Sequence, residues 1–151
     1  MSDVPEFDPE YVERLTGFID DHGYLSWLGL TAEYVEEGHV VMRIPFDEKL
    51  VNPTPGTQRT IHGGIAATLI DTASGFALRT TFEDPEDAHL ATTDLNVTYL
   101  RPATGDLYAD ASVVRAGGSM GYTDVSVESD TPDGDRTEVA RGRTSYRLFR
   151  K

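Results

Sequence analysis

Two glycines at the start of an apolar stretch, and a carboxylate eight residues beyond the first of them, are the residues of this 151-residue chain best suited to chemistry. They lie in His62-Gly63-Gly64-Ile65-Ala66-Ala67-Thr68-Leu69-Ile70-Asp71. The run from His62 to Thr81 has no proline, is rich in Ala, Leu and Ile, and reads as a long helix. Glycines at a helix start let a ligand approach the first backbone N–H groups, which have no partner within the helix and sit at the positive end of its dipole. Such N–H groups suit a carbonyl oxygen that gains negative charge. At 3.6 residues per turn, Gly64, Ala67, Thr68, Asp71, Ser74 and Gly75 share one face, and all but Asp71 are small. Ile65, Ala66, Leu69, Ile70, Ala73 and Phe76 form the core-facing side. An aspartate in the middle of such a helix is either a solvated surface residue or a reacting group.

Spacing decides how the two groups could act together. Gly63 and Asp71 are roughly 12 Å apart along a helix axis, at 1.5 Å per residue. A reacting carbonyl must lie about 3 Å from both its oxyanion donor and its attacking group. One helix cannot bring both to the same carbon. A functional pair therefore requires a homo-oligomer in which two such helices lie antiparallel, the amide coming from one subunit and the carboxylate from another. The small residues beside Asp71 would permit that approach.

The remaining elements frame this helix. Residues 8–22 form an amphipathic pattern, with Tyr11, Leu15, Phe18 and Ile19 at helical spacing and Gly23 as its expected end. Leu28 to Glu36 and His39 to Pro45 read as a hairpin around Glu37-Gly38, and 46–60, with Pro53, Pro55 and Gly56, as a loop. After the long helix, strand alternation is visible around 93–99, 107–113, 122–129 and 137–149. The order is helix, two strands, one long helix, four strands. It predicts an α+β fold with one antiparallel sheet packed on a central helix. We divide the chain into an N-terminal helical segment, 1–24, and a domain over 25–151.

Composition narrows the function. Twenty-six acidic residues against 13 basic give a net charge of −13, and only Lys49 and Lys151 are lysines. Clustered Lys and Arg are missing, which argues against a nucleic-acid partner. The acids are spread along the chain, so self-repulsion at low salt is expected to weaken the fold, and adaptation to a salty cytoplasm would explain the composition. There is no cysteine, which excludes disulfides, thiolate metal sites and a cysteine nucleophile. No stretch reaches the ~18 apolar residues of a membrane span. Met1 to Asp21 lacks a basic n-region followed by an apolar run, so it does not read as a signal peptide, and a cytoplasmic location is expected. His22, His39, His62 and His89 show no metal-ligand spacing, and no metal is expected.

The HGG triplet followed by Leu69, Asp71, Ala73 and Ala77 resembles the signature of the PaaI-like hotdog thioesterases. Asp94-Leu95-Asn96-Val97-Thr98-Tyr99-Leu100 with Pro102-Ala103 resembles the next strand of that family. Arg115 with Gly117 or Gly118, and Val139-Ala140-Arg141-Gly142, match more loosely. The resemblance covers about residues 25–149. It implies a hotdog fold, a sheet wrapped around a long helix. It also implies homodimers often paired into homotetramers, and hydrolysis of acyl-CoA, with coenzyme A as part of the substrate and no separate cofactor. By position it assigns Gly63 as oxyanion donor and Asp71 as general base or nucleophile. Thr92 takes the place of a residue that orients water, although strand alternation puts it on the more polar face. Relatives often carry an Asn six residues before the HGG histidine, where this chain has Gly56. Asn52, ten residues before His62, is the nearest substitute. His62 would contact the thioester or order the loop. Gly64, Arg115, Gly117, Gly118 and Ser119 are the expected substrate and CoA contacts.

Two other readings of the same residues remain. A hotdog hydratase or dehydratase would use His62 and Asp71 as an acid–base pair across subunits, and a non-catalytic module would bind acyl-CoA intact. Gly117-Gly118-Ser119-Met120-Gly121 matches the G-x-S-x-G nucleophile elbow, but that motif needs a helix after it. Tyr122 to Ser129 alternates like a strand, so a glycine-rich hairpin is expected. Arg141, Arg143 and Arg147 alternate on the last strand and are expected to pair with nearby carboxylates.

Overall fold

The computed structural model describes residues 7–53, 55 and 59–151. Its elements are α1 (Pro9–Asp21), α2 (Gly23–Leu28), β1 (Thr31–Glu36), β2 (His39–Ile44), α3 (Gly63–Arg79), β3 (His89–Tyr99), β4 (Leu107–Ala116), β5 (Met120–Asp130) and β6 (Arg136–Phe149). Six antiparallel strands in the order β1-β2-β4-β5-β6-β3 form one sheet. The sheet curls around α3, which packs against β2, β3, β4, β5 and β6. This is the α+β hotdog arrangement that the sequence predicts.

The α3 core face follows its periodicity: Leu69, Ile70, Ala73 and Ala77 are fully buried against Val40, Met42, Leu107, Ala109, Ala111, Val127 and Ala140. Small residues on the sheet let the helix come close. A Cβ on Gly142 would lie 2.7 Å from Ile70 Cγ2 and 2.9 Å from the Asn96 carbonyl oxygen. The hairpin of β1 and β2 turns at Glu37-Gly38, where Gly38 has φ 76°, a conformation that glycine adopts without strain. Tyr11, Leu15 and Ile19 of α1 enter the same core as the sheet and α3.

One local reading needs correction. Gly23 does not end a helix but opens α2, and the strand expected from Leu28 begins only at Thr31. His22 serves both helices: its N–H donates to Ile19 O at 3.1 Å, and its Nδ1 accepts from Leu25 N at 3.2 Å. A six-residue helix is too short to show a period of its own.

Candidate active site

The start of α3 is built by its cap. His62 Nδ1 accepts from Gly64 N at 2.9 Å, and the His62 carbonyl accepts from Ile65 N at 3.0 Å. The Gly63 N–H is left with no acceptor among the described residues, as expected for the first helical position. Gly64 was expected to help bind substrate, but its amide is engaged by the imidazole, so Gly63 is the open donor. Tyr99, at the end of β3, donates to the Gly63 carbonyl at 2.6 Å and fixes the peptide from the other side. A short antiparallel bridge between Val51 and Ile61 closes the preceding loop, and Asn52 N donates to Thr60 O at 2.9 Å. The bridge carries Asn52 to the helix tip, where it lines a cavity of about 430 Å³ with His62, Gly63, Tyr99 and Arg101. Gly56, which stands where the resemblance would put an Asn, lies outside the described residues.

Two turns along α3, Asp71 is half-buried rather than solvated. Thr92 donates to Asp71 Oδ1 at 2.8 Å. Tyr146 of β6 also lies 2.6 Å from Oδ1 and 2.6 Å from the Asp71 carbonyl oxygen. Among the described residues, none hydrogen-bonds Oδ2. The described hydrogen bonds thus fall on one carboxylate oxygen. Burial first, and then the Asp71 carboxylate, hold the Tyr146 phenol above its ordinary pKa of 10, so it stays a neutral donor.

Thr92 reaches Asp71 because of a β-bulge. Simple alternation groups it with Asp94, Asn96 and Thr98, which line a groove on the sheet's outer face. The β3–β6 register shifts between Thr92 and Asp94, leaving Thr93 as the extra residue. The shift turns Thr92 inward, a common use of bulges beside functional sites. Ser74 and Gly75 also differ from expectation, being buried against the sheet rather than open. A Cβ on Gly75 would lie 3.1 Å from the Tyr146 hydroxyl, so this glycine makes room for the phenol. The sequence reading did not single out Tyr146. Its signal is alternation: Arg141, Arg143 and Arg147 point outward, which turns Thr144, Tyr146 and Leu148 inward.

The sequence Gly117-Gly118-Ser119 is the turn between β4 and β5, with a strand on each side, so it is not a nucleophile elbow. It lies past the far end of α3, since a Cβ on Gly121 would strike Leu78. Arg150 Nε donates to Gly117 O at 2.9 Å, and Arg147 Nη1 to Ser119 O at 3.1 Å. Arg115 is exposed on the adjoining strand. Arg141 pairs with Glu138 at 2.8 Å and Arg143 with Asp124 at 2.7 Å, as expected, whereas Arg147 binds backbone and stacks over Phe149. No described helix is long and apolar enough to cross a membrane. Among the described residues, no three His, Asp or Glu groups cluster in a way that could hold a metal ion.

The chain is similar to known proteins. The sequence profile of the thioesterase superfamily matches residues 58–134. A putative esterase of Halobacterium salinarum is 54% identical over 138 residues, covering 90% of this chain and 91% of the relative. Human acyl-coenzyme A thioesterase 13 is 30% identical over 113 residues, covering 74% of each. The fold of the Escherichia coli PaaI protein, from the phenylacetic acid degradation operon, superposes with a TM-score of 0.73 at 21% identity, covering 91% of each chain. With an open helix-tip amide and a half-tethered carboxylate on the same scaffold, this chain belongs to the hotdog-fold thioesterase superfamily and is a thioester hydrolase.

Proposed function

We propose that the protein hydrolyses acyl-CoA thioesters carrying a medium-size or aromatic acyl group, in sites shared between two protomers. The observation that carries this reading is the state of Asp71: Oδ1 is held by Thr92 and Tyr146, while no described residue hydrogen-bonds Oδ2. Oδ2 is available to take a proton from water attacking the thioester carbonyl, or to attack that carbonyl itself and form an anhydride that water opens. The Gly63 N–H at the helix N-terminus receives the oxyanion, and the bond to sulfur breaks as coenzyme A leaves. His62 acts by ordering the helix tip. Asn52 faces the same cavity and is placed to hydrogen-bond the substrate. No cofactor beyond the substrate's own coenzyme A is required.

The separation of Gly63 and Asp71 on one helix calls for a second protomer. The free edge strand β3 supports one: it is 11 residues long and mostly exposed, with Leu95 39% and Tyr99 55% accessible. An unprotected edge of this length is a template for pairing. Joining two β3 edges across a two-fold axis continues the sheet and lays two α3 helices side by side in opposite directions. A dimer, or a tetramer of such dimers, then completes each site. Arg115, Arg147 and Arg150 surround the turn at Gly117, Gly118 and Ser119. In a chain of net charge −13 this cationic corner suits the phosphates of coenzyme A. The acidic remainder fits a cytoplasm rich in salt.

The test is a panel of acyl-CoA substrates with thiol release as the readout, run on wild type and Asp71→Ala. Turnover by wild type and its loss in the variant are expected. Full turnover by Asp71→Ala would reject the mechanism. Hydration of enoyl-CoA without hydrolysis, or binding without turnover, would reject the activity.

A further inference from the structure

We propose that Tyr146 is a positioning residue that selects Oδ2 of Asp71 as the reacting oxygen, and that Gly75 is glycine so that the phenol can reach it. This rests on the reading of Asp71 as the reacting carboxylate. The Tyr146 hydroxyl lies 2.6 Å from both Asp71 O and Asp71 Oδ1. The phenol has one hydrogen and can donate to only one of them at a time. Bracketing both oxygens folds Oδ1 back along the helix toward the residue's own carbonyl. Thr92 reaches the same Oδ1 from the cross-strand position paired with Tyr146. Two donors from neighbouring strands therefore converge on one carboxylate oxygen, and no described residue hydrogen-bonds the other. Tyr146 is only 4% exposed, so its hydroxyl has a fixed address rather than a choice of waters. Its ring is anchored beside Leu78 and Leu148. A carboxylate free to rotate would offer either oxygen in several orientations, and few of them would align with the carbonyl.

Gly75 lies one helical turn after Asp71. A methyl there would meet the Tyr146 hydroxyl at 3.1 Å, but the ring carbons Cε2 and Cζ at 3.5 and 3.6 Å, which is ordinary contact. The conflict is thus with the oxygen alone, and this makes the pair separable by experiment. Full-length Tyr146→Phe, Gly75→Ala and the double variant are assayed with hexanoyl-CoA beside wild type and Asp71→Asn, with melting curves for each. Tyr146→Phe is expected to lower kcat about 10- to 100-fold, the range for losing a hydrogen bond to a charged group, with KM within about twofold. Gly75→Ala is expected to lower kcat in the tyrosine background and to change it less than about twofold in the phenylalanine background. A residue that merely fills space would make the alanine equally harmful in both. Wild-type kcat for Tyr146→Phe, or an undiminished alanine effect in the double variant, overturns the proposal. If Tyr146→Phe does not fold, wild-type kcat for Gly75→Ala overturns it instead. Full activity of Asp71→Asn would mark failure of the underlying site assignment rather than of this inference.

Discussion

Replacing Gly63 with proline removes the backbone N–H from the site and puts a ring carbon in its place. Gly63 is the first residue of α3, where proline is well tolerated because the N–H has no partner in the helix. The residue before a proline must be extended, and His62 already has φ −55° and ψ 131°. Proline does add a Cβ, which at this position would approach Tyr99 Cζ at 3.1 Å and its hydroxyl at 3.2 Å. Gly63→Ala carries the same Cβ against Tyr99 while keeping the N–H. Gly63→Ala therefore controls for the Cβ, and the gap between the two variants reports the loss of the N–H together with the ring Cδ that takes its place. Loss of one oxyanion donor lowers kcat about 100- to 1,000-fold, or ~2.7–4 kcal/mol of transition-state stabilisation. We expect that gap between Gly63→Pro and Gly63→Ala in steady-state thioester hydrolysis, with similar KM and similar melting temperatures. Equal kcat values for the two would show that the Gly63 amide does not hold the oxyanion.

Three further outcomes are expected. Raising KCl from about 0.1 to 1 M shortens the screening length from about 10 to 3 Å, and with a net charge of −13 the melting temperature should rise by several degrees; a flat response would remove the salt-adaptation reading. Leu95→Lys puts a charge on the exposed β3 edge, and sedimentation should show dissociation with activity falling in step; a fully active monomer would contradict the shared site. His39 lies between Glu36 Oε1 at 2.9 Å and Asp110 Oδ1 at 2.6 Å. Burial alone lowers its pKa, but the two carboxylates outweigh burial and hold it above the ordinary 6.5. Glu36 is held below its ordinary value of 4.5 by Tyr34 and by His39. The histidine's stabilisation is complete below about pH 6.5 and is lost as pH rises through its raised value, while that of Glu36 is lost as pH falls below about 4.5. Melting curves of wild type should decline as pH rises above about 6.5, and His39→Gln should flatten that decline.

The long helix was legible because its signals are local. HGG marks the cap, the period of 3.6 marks the core face, and Gly63–Asp71 spacing follows from helix geometry. The β1–β2 hairpin was legible from alternation and a glycine turn. Three features were not, each for a physical reason. Helix α2 is one and a half turns long and shares its cap residue with α1. Thr92 looks misplaced until the bulge at Thr93 is known, since one extra residue exchanges the faces of a strand. Tyr146 lies 75 residues from Asp71 in sequence, and only the strand order, which sets β3 beside β6, brings Thr92 and Tyr146 to the same carboxylate. The burial of Gly75 follows from that same pairing.

A site assembled from two chains can be tested by mixing two inactive ones. Gly63→Pro and Asp71→Asn chains, given different tags and co-expressed, yield heterodimers in which one site has both lesions and the other has neither. Isolated heterodimers should recover about half of wild-type activity, because the intact amide and the intact carboxylate come from different subunits. Heterodimers as inactive as either parent would place both groups in the same chain and contradict the shared site.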